Sequence, residues 1–211
     1  MATTTNYGWE TPDDTDLVKD GALAQRTTAS AIDTSLFSIT NGKNVGLVPL
    51  VNTTFTTTSA LQVDNVFTTD YDNYKIIFRL TACSSSGTGI RLTLVDGTTP
   101  TTTAKAFWGS SGSTNSGAAA STYGSALTYF DLIYGGSASP SLTNAVIDII
   151  APKLATSTGL TFNTFNLSGG VSFAYAGAGA FETNDTFEGV RFAPASGTMS
   201  GNIKIYGYRN S

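Results

Sequence analysis

From about residue 45 onward, the chain alternates apolar and polar residues with a period of two. In Tyr74-Lys75-Ile76-Ile77-Phe78-Arg79-Leu80-Thr81, the side chains of Tyr74, Ile76, Phe78 and Leu80 fall on one face. Ile90-Arg91-Leu92-Thr93-Leu94 repeats the pattern more strictly. This is the strand period, and it fixes which side of a sheet enters a core. Further candidate strands are 60–67, 103–108, 126–134, 143–150, 159–167, 171–176, 186–193 and 201–208. Turn clusters separate them, among them Asp96-Gly97, Gly135-Gly136-Ser137 and Ser168-Gly169-Gly170. Many short strands with Gly-rich turns predict a mainly β fold, an antiparallel β-sandwich of jelly-roll type spanning 42–211. Between Gly109 and Gly124 the sequence is almost all Ser, Gly, Ala and Thr, which predicts a long exposed loop flanked by Trp108 and Tyr123.

Composition fits a folded β protein. Charged residues make up 12% of the 211, against a usual ~25%, and Thr, Ser, Asn and Gly supply the polarity instead. Disordered chains are also polar but lack aromatics, which here reach 11%. The net charge is −4 and no basic run occurs, which argues against nucleic acid or an anionic membrane surface as partner. No apolar run approaches the ~18 residues of a membrane span, so no membrane insertion is expected. Met1 to Asn6 has neither a basic nor an apolar signal region, so the protein is expected to be made in a cytoplasm and to stay soluble. Cys83 is the lone cysteine and reads as a small buried apolar residue.

The first forty residues differ in kind. Residues 1–16 are polar and turn-rich apart from Tyr7-Gly8-Trp9, with Pro12 following, and are expected to form an extended tail. Tyr7 and Trp9 have no core of their own there, so with Pro12 they are expected to anchor the tail in a partner. In 17–41, Val18, Ala22, Gln25, Ala29, Ile32, Leu36 and Ile39 recur at alternating spacings of four and three. That spacing predicts a coiled-coil stalk with these residues as its seam. It also suits an amphipathic helix lying on its own β domain. Thr15 is a candidate cap, with Asp16 in the first turn and Asn41-Gly42 as the stop.

Residues for chemistry are scarce. The absence of histidine removes the commonest general base and every Ser-His-Asp or Cys-His arrangement. With one cysteine and no histidine the chain cannot furnish a closed zinc site. Asp131, Asp148, Glu182, Asp185 and Glu188 are the carboxylates to weigh for glycan cleavage, and they read as solvated. Asp70-Tyr71-Asp72-Asn73 lacks the Gly and distal Glu of a calcium loop and reads as an Asx-turn before a strand. No catalytic residue, cofactor or metal is therefore expected, and the chain is not expected to be an enzyme. Trp108, Tyr123, Tyr129 and Tyr134 offer stacking faces for sugar, with Trp108 and Tyr123 as candidate glycan contacts; core packing is the other reading of Trp108.

The run Asn6-Tyr7-Gly8-Trp9-Glu10-Thr11-Pro12-Asp13-Asp14-Thr15-Asp16-Leu17-Val18-Lys19-Asp20-Gly21-Ala22, followed by Ala31-Ile32-Asp33, resembles the N-terminal motif of tail-fibre and related structural proteins of tailed bacteriophages. The resemblance covers residues 6–36. More loosely, Asp70 to Tyr74 opening a strand and Ile203 to Tyr208 closing the chain are similar to the β tips of such proteins. The resemblance implies a virion component, a homotrimer held to other virion proteins by its tail, whose head faces host cell-surface glycan. Long fibres place a shaft between stalk and tip, and this chain has none. That leaves a short tail fibre, a capsid decoration or head fibre, or a lectin-like module.

Overall fold

The computed structural model describes residues 2–5, 8–11, 18–40, 46–85, 88–114, 119–134, 142–168 and 171–209. The chain divides into two compact units, 1–46 and 47–210.

In the first unit, β1 (Ala2–Thr3) pairs antiparallel with β2 (Glu10–Thr11), and β2 runs beside helix α1 (Val18–Thr40). The tail is thus folded back as a small hairpin. Thr4 donates its N–H to the Trp9 carbonyl at 2.9 Å, and the Trp9 N–H returns to the Thr4 hydroxyl at 3.0 Å. Gly8 turns the chain at φ +64°, a conformation that a Cβ disfavours.

The helix occupies the predicted place, but the coiled-coil assignment is corrected. Of the seam residues, Ala22, Gln25, Ala29 and Leu36 are exposed and Ile32 is half-buried, while the side chains of Val18 and Ile39 lie outside the described residues. The covered face instead centres on Ala24, only 2% exposed, with Gly21, Thr28, Ala31 and Ser35 partly covered. The large apolar side chains Leu23, Leu36 and Phe37 are all exposed. Small residues at four-three spacing do not define a knobs-into-holes seam, because alanine leaves little to insert. The cap and stop at Thr15, Asp16, Asn41 and Gly42 lie outside the described residues.

The second unit is built of strands. In chain order they are β3 (Leu47–Thr58), β4 (Leu61–Val63), β5 (Asn73–Cys83), β6 (Gly89–Asp96) and β7 (Thr99–Pro100). Then come β8 (Ala106–Thr114), β9 (Ala119–Leu127), β10 (Phe130–Tyr134), β11 (Leu142–Ile150) and β12 (Thr158–Ser168). The chain closes with β13 (Val171–Phe181), β14 (Gly189–Pro194) and β15 (Met199–Tyr208).

The predicted β-sandwich of jelly-roll type does not form. The strands make two open sheets, one of eight in the order β3-β15-β5-β11-β12-β13-β8-β9, the other in the order β10-β6-β14-β4 with β7 on β6. Neither closes on itself, and the sizes are unequal. Alternation fixes the face a residue takes but not the neighbour a strand takes, so the sequence pattern could not separate these arrangements.

The alternation itself holds. Tyr74, Ile76, Phe78 and Leu80 of β5 are buried, as are Ile90, Leu92 and Leu94 of β6. Phe78 lies between Phe192 of β14, 4.6 Å away at 11°, and Phe55 of β3, 5.7 Å away at 18°. These stacked rings join the large sheet to the small one in a single core. The Tyr74 hydroxyl accepts from the Thr68 N–H at 2.6 Å and donates to the Thr68 carbonyl at 2.9 Å, pinning the turn that precedes β5. Burial pushes its pKa above the ordinary phenol value. On the other face of the large sheet, Asp148 of β11 pairs in register with Lys75 of β5 at 2.9 Å. It also accepts a hydrogen bond from the Tyr208 hydroxyl at 2.7 Å. The bond to Asp148 raises the Lys75 pKa, and burial followed by the bond to Asp148 raises that of Tyr208.

Of the segment expected to be a loop, Gly109 to Thr114 belongs instead to β8 and Ala119 to Gly124 to β9; the two strands pair antiparallel and extend the large sheet beyond β13. Its small residues have a steric reason. Trp108 faces Gly179 on one neighbouring strand and Gly124 on the other, both in register. A Cβ at Gly124 would fall against the Trp108 indole, and one at Gly177 against the Phe162 ring. Aromatic rings lying over cross-strand glycines hold this part of the sheet together where aliphatic side chains are absent.

Candidate functional site

The described polar groups come closest to a site around Arg91 of β6. Alternation places Arg91 and Thr93 on the face of β6 away from Ile90, Leu92 and Leu94. Two irregularities bring their partners in. At the end of β9 the register shifts between Ala106 and Trp108, and Ala126 takes φ +53°. In β10 it shifts again between Asp131 and Ile133. Such bulges re-aim the chain, and here they bracket Thr128 to Asp131. Holding a non-glycine residue at that φ costs roughly 1–2 kcal/mol, offset by the pairing on either side.

The Arg91 guanidinium carbon lies 4.2 Å from the centre of the Tyr129 ring, and Arg91 Nε is 3.5 Å from Asp131 Oδ1. The second contact is an ion pair without a hydrogen bond: both atoms are buried and make none among the described residues. Burial raises the Asp131 pKa and the Arg91 charge opposes that rise.

Two recesses flank Arg91. The first, of about 200 Å³, lies between Arg91, Asp131, Trp108 and Tyr175, with the hydroxyls of Ser110 and Thr122, 3.0 Å apart, on one wall. The second, of about 390 Å³, runs over β6 and β14 and holds Arg191 beside Arg91. Thr93 pairs with Arg191 and Arg91 with Ala193, so the two arginines are diagonal neighbours on one face. Among the described residues, no group of three or more His, Cys, Asp or Glu side chains is placed to hold a metal.

The structure does not bring the predicted glycan contacts together. Trp108 is 5% exposed and Tyr123 is 82% exposed; Tyr123 pairs with Gly109, one residue on from Trp108, and so projects from the opposite face. The Trp108 indole N–H is buried without a hydrogen-bond partner among the described residues. Of the predicted anchor residues, Trp9 is half-buried in the N-terminal hairpin, and Tyr7 and Pro12 lie outside the described residues. In the sequence Asp131 reads as a carboxylate and Tyr129 as a stacking face, with nothing to join them. Arg91 was visible as an outward residue of a strand, but nothing in the sequence tied it to Arg191, a hundred positions on.

Compared with models of protein families, with curated proteins and with solved structures, the chain finds no match.

Proposed function

We propose that the chain is a non-enzymatic structural component of a tailed-bacteriophage particle, made in the bacterial cytoplasm, mounted through its N-terminal unit and presenting its β unit to the host surface. One observation supports this most. The residues that carry the resemblance, 6–36, all fall within the unit 1–46, apart from the β unit and from the recesses around Arg91. A mounting segment and a contact surface on separate units is what an attachment protein needs.

Deleting residues 1–14 tests it. Particles assembled with the truncated chain are expected to lack it, with the protein recovered in the soluble fraction and its β-rich circular dichroism unchanged. Truncated protein found on particles at the level of the full chain would reject the mounting role of this unit.

A further inference from the structure

The second recess carries a charge arrangement that the fold does not need. Arg191 makes no ion pair and no side-chain hydrogen bond among the described residues, although it is half-buried. Its diagonal neighbour Arg91 lies over the Tyr129 ring and has the long contact to Asp131 as its ion pair. Two guanidinium groups on one face of a chain with net charge −4 repel one another, and a half-buried pair is poorly screened by salt. Each guanidinium keeps a planar fork of N–H donors that matches an oxyanion.

The remaining walls narrow the class of ligand. Thr93, Thr101 and Thr128 line the recess together with the arginines. One face of the Tyr129 ring is covered by the Arg91 guanidinium. The volume, about 390 Å³, is within the usual range of small-molecule sites.

We propose that this recess binds the carboxylate of an acidic sugar, with Arg91 and Arg191 holding the oxyanion and the threonine hydroxyls meeting the ring hydroxyls. In naming the host surface as the source of that sugar, the inference rests on the attachment reading; the binding itself belongs to the isolated chain.

The test uses the purified 211-residue chain and titration calorimetry with glucuronate, glucose, inorganic phosphate and sulfate. Glucuronate is expected to bind and glucose not to. Arg191→Gln is expected to weaken glucuronate by about tenfold or more, the loss of a charge-assisted hydrogen bond. Arg79→Gln, an exposed arginine on the large sheet, is expected to leave binding unchanged. An unchanged melting temperature for Arg191→Gln shows that the loss is not unfolding. Phosphate or sulfate binding as tightly as glucuronate would overturn the sugar assignment. Glucose binding as well as glucuronate, no binding of glucuronate, or indifference to Arg191→Gln would overturn the site. None of these outcomes depends on whether the protein is mounted on a particle, so a failure here is distinct from a failure of the deletion experiment.

Discussion

Phe78→Ala is expected to cost the β unit about 3–5 kcal/mol, the usual range for emptying a buried phenylalanine site. For a unit of this size that lowers the melting temperature by roughly 10 °C. Phe78 is fully buried, and its ring touches both Phe192 of the small sheet and Phe55 of the large one. The core cannot readily close over the space, because Phe192 and Phe55 are themselves buried, Phe192 in β14 between β6 and β4 and Phe55 in β3 against β15. Total stabilities of about 5–15 kcal/mol make this a large fraction of what the unit has. The Phe78→Ala, Phe192→Ala double-mutant cycle is expected to give a coupling of about 0.5–1.5 kcal/mol for the stacked pair. Urea unfolding reads both numbers. A loss below about 1 kcal/mol with no coupling would mean that the two sheets do not share this core.

Gly179→Ala is the second large effect, expected to destabilise by about 1–3 kcal/mol as an over-packed site. The added Cβ would lie 2.5 Å from the Phe107 carbonyl oxygen, 2.9 Å from Trp108 Cβ and 3.1 Å from Phe130 Cδ1. The first two belong to the main chain and the root of a side chain, which no rotamer change can move aside. Relief has to come from spreading β8 away from β13, which breaks ladder hydrogen bonds. Trp108 then gains exposure, and its fluorescence is expected to shift to the red. Gly21→Ala is the control, since nothing lies within 4 Å of its Cβ position and it sits in a helix, where alanine is preferred. If Gly179→Ala were as stable as the parent, the account of aromatic rings packed over cross-strand glycines would be wrong.

How far the sequence could be read follows from what each segment's side chains reveal. Tyr74 to Thr81 and Ile90 to Leu94 announce themselves because large apolar groups alternate with polar ones, and both lie inside strands. Asp96-Gly97 announces a tight turn, and Gly97 indeed takes φ +58° between β6 and β7. Gly109 to Gly124 is silent, because Ser, Gly and Ala give no alternation of hydropathy; only the aromatic partners on adjacent strands explain their small size. Ala178 and Gly179, inside β13, are silent for the same reason. The jelly-roll and coiled-coil expectations failed on a different link. Both depend on which element meets which, and a period of two or of three and four reports only a face.

The site was harder still. Arg91 and Arg191 meet because β6 pairs with β14, a contact across a hundred residues. Asp131 and Tyr129 reach Arg91 through register shifts that leave no mark in the sequence beyond an unremarkable Ala-Leu-Thr. The N-terminal motif is the reverse case. It is legible as a pattern of residues, although much of it lies outside the described residues, and all of it falls within the first unit.

The proposal that most needs a direct test is that the protein is mounted on a particle with its β unit outward. Electron micrographs of purified particles labelled with gold-conjugated antibody against residues 47–210 test that claim directly. The account predicts gold at a fixed position on intact particles, in regular number, and none on particles made without the protein. Intact particles that carry no label, while antibody against the same unit detects the protein free in the lysate, would contradict it.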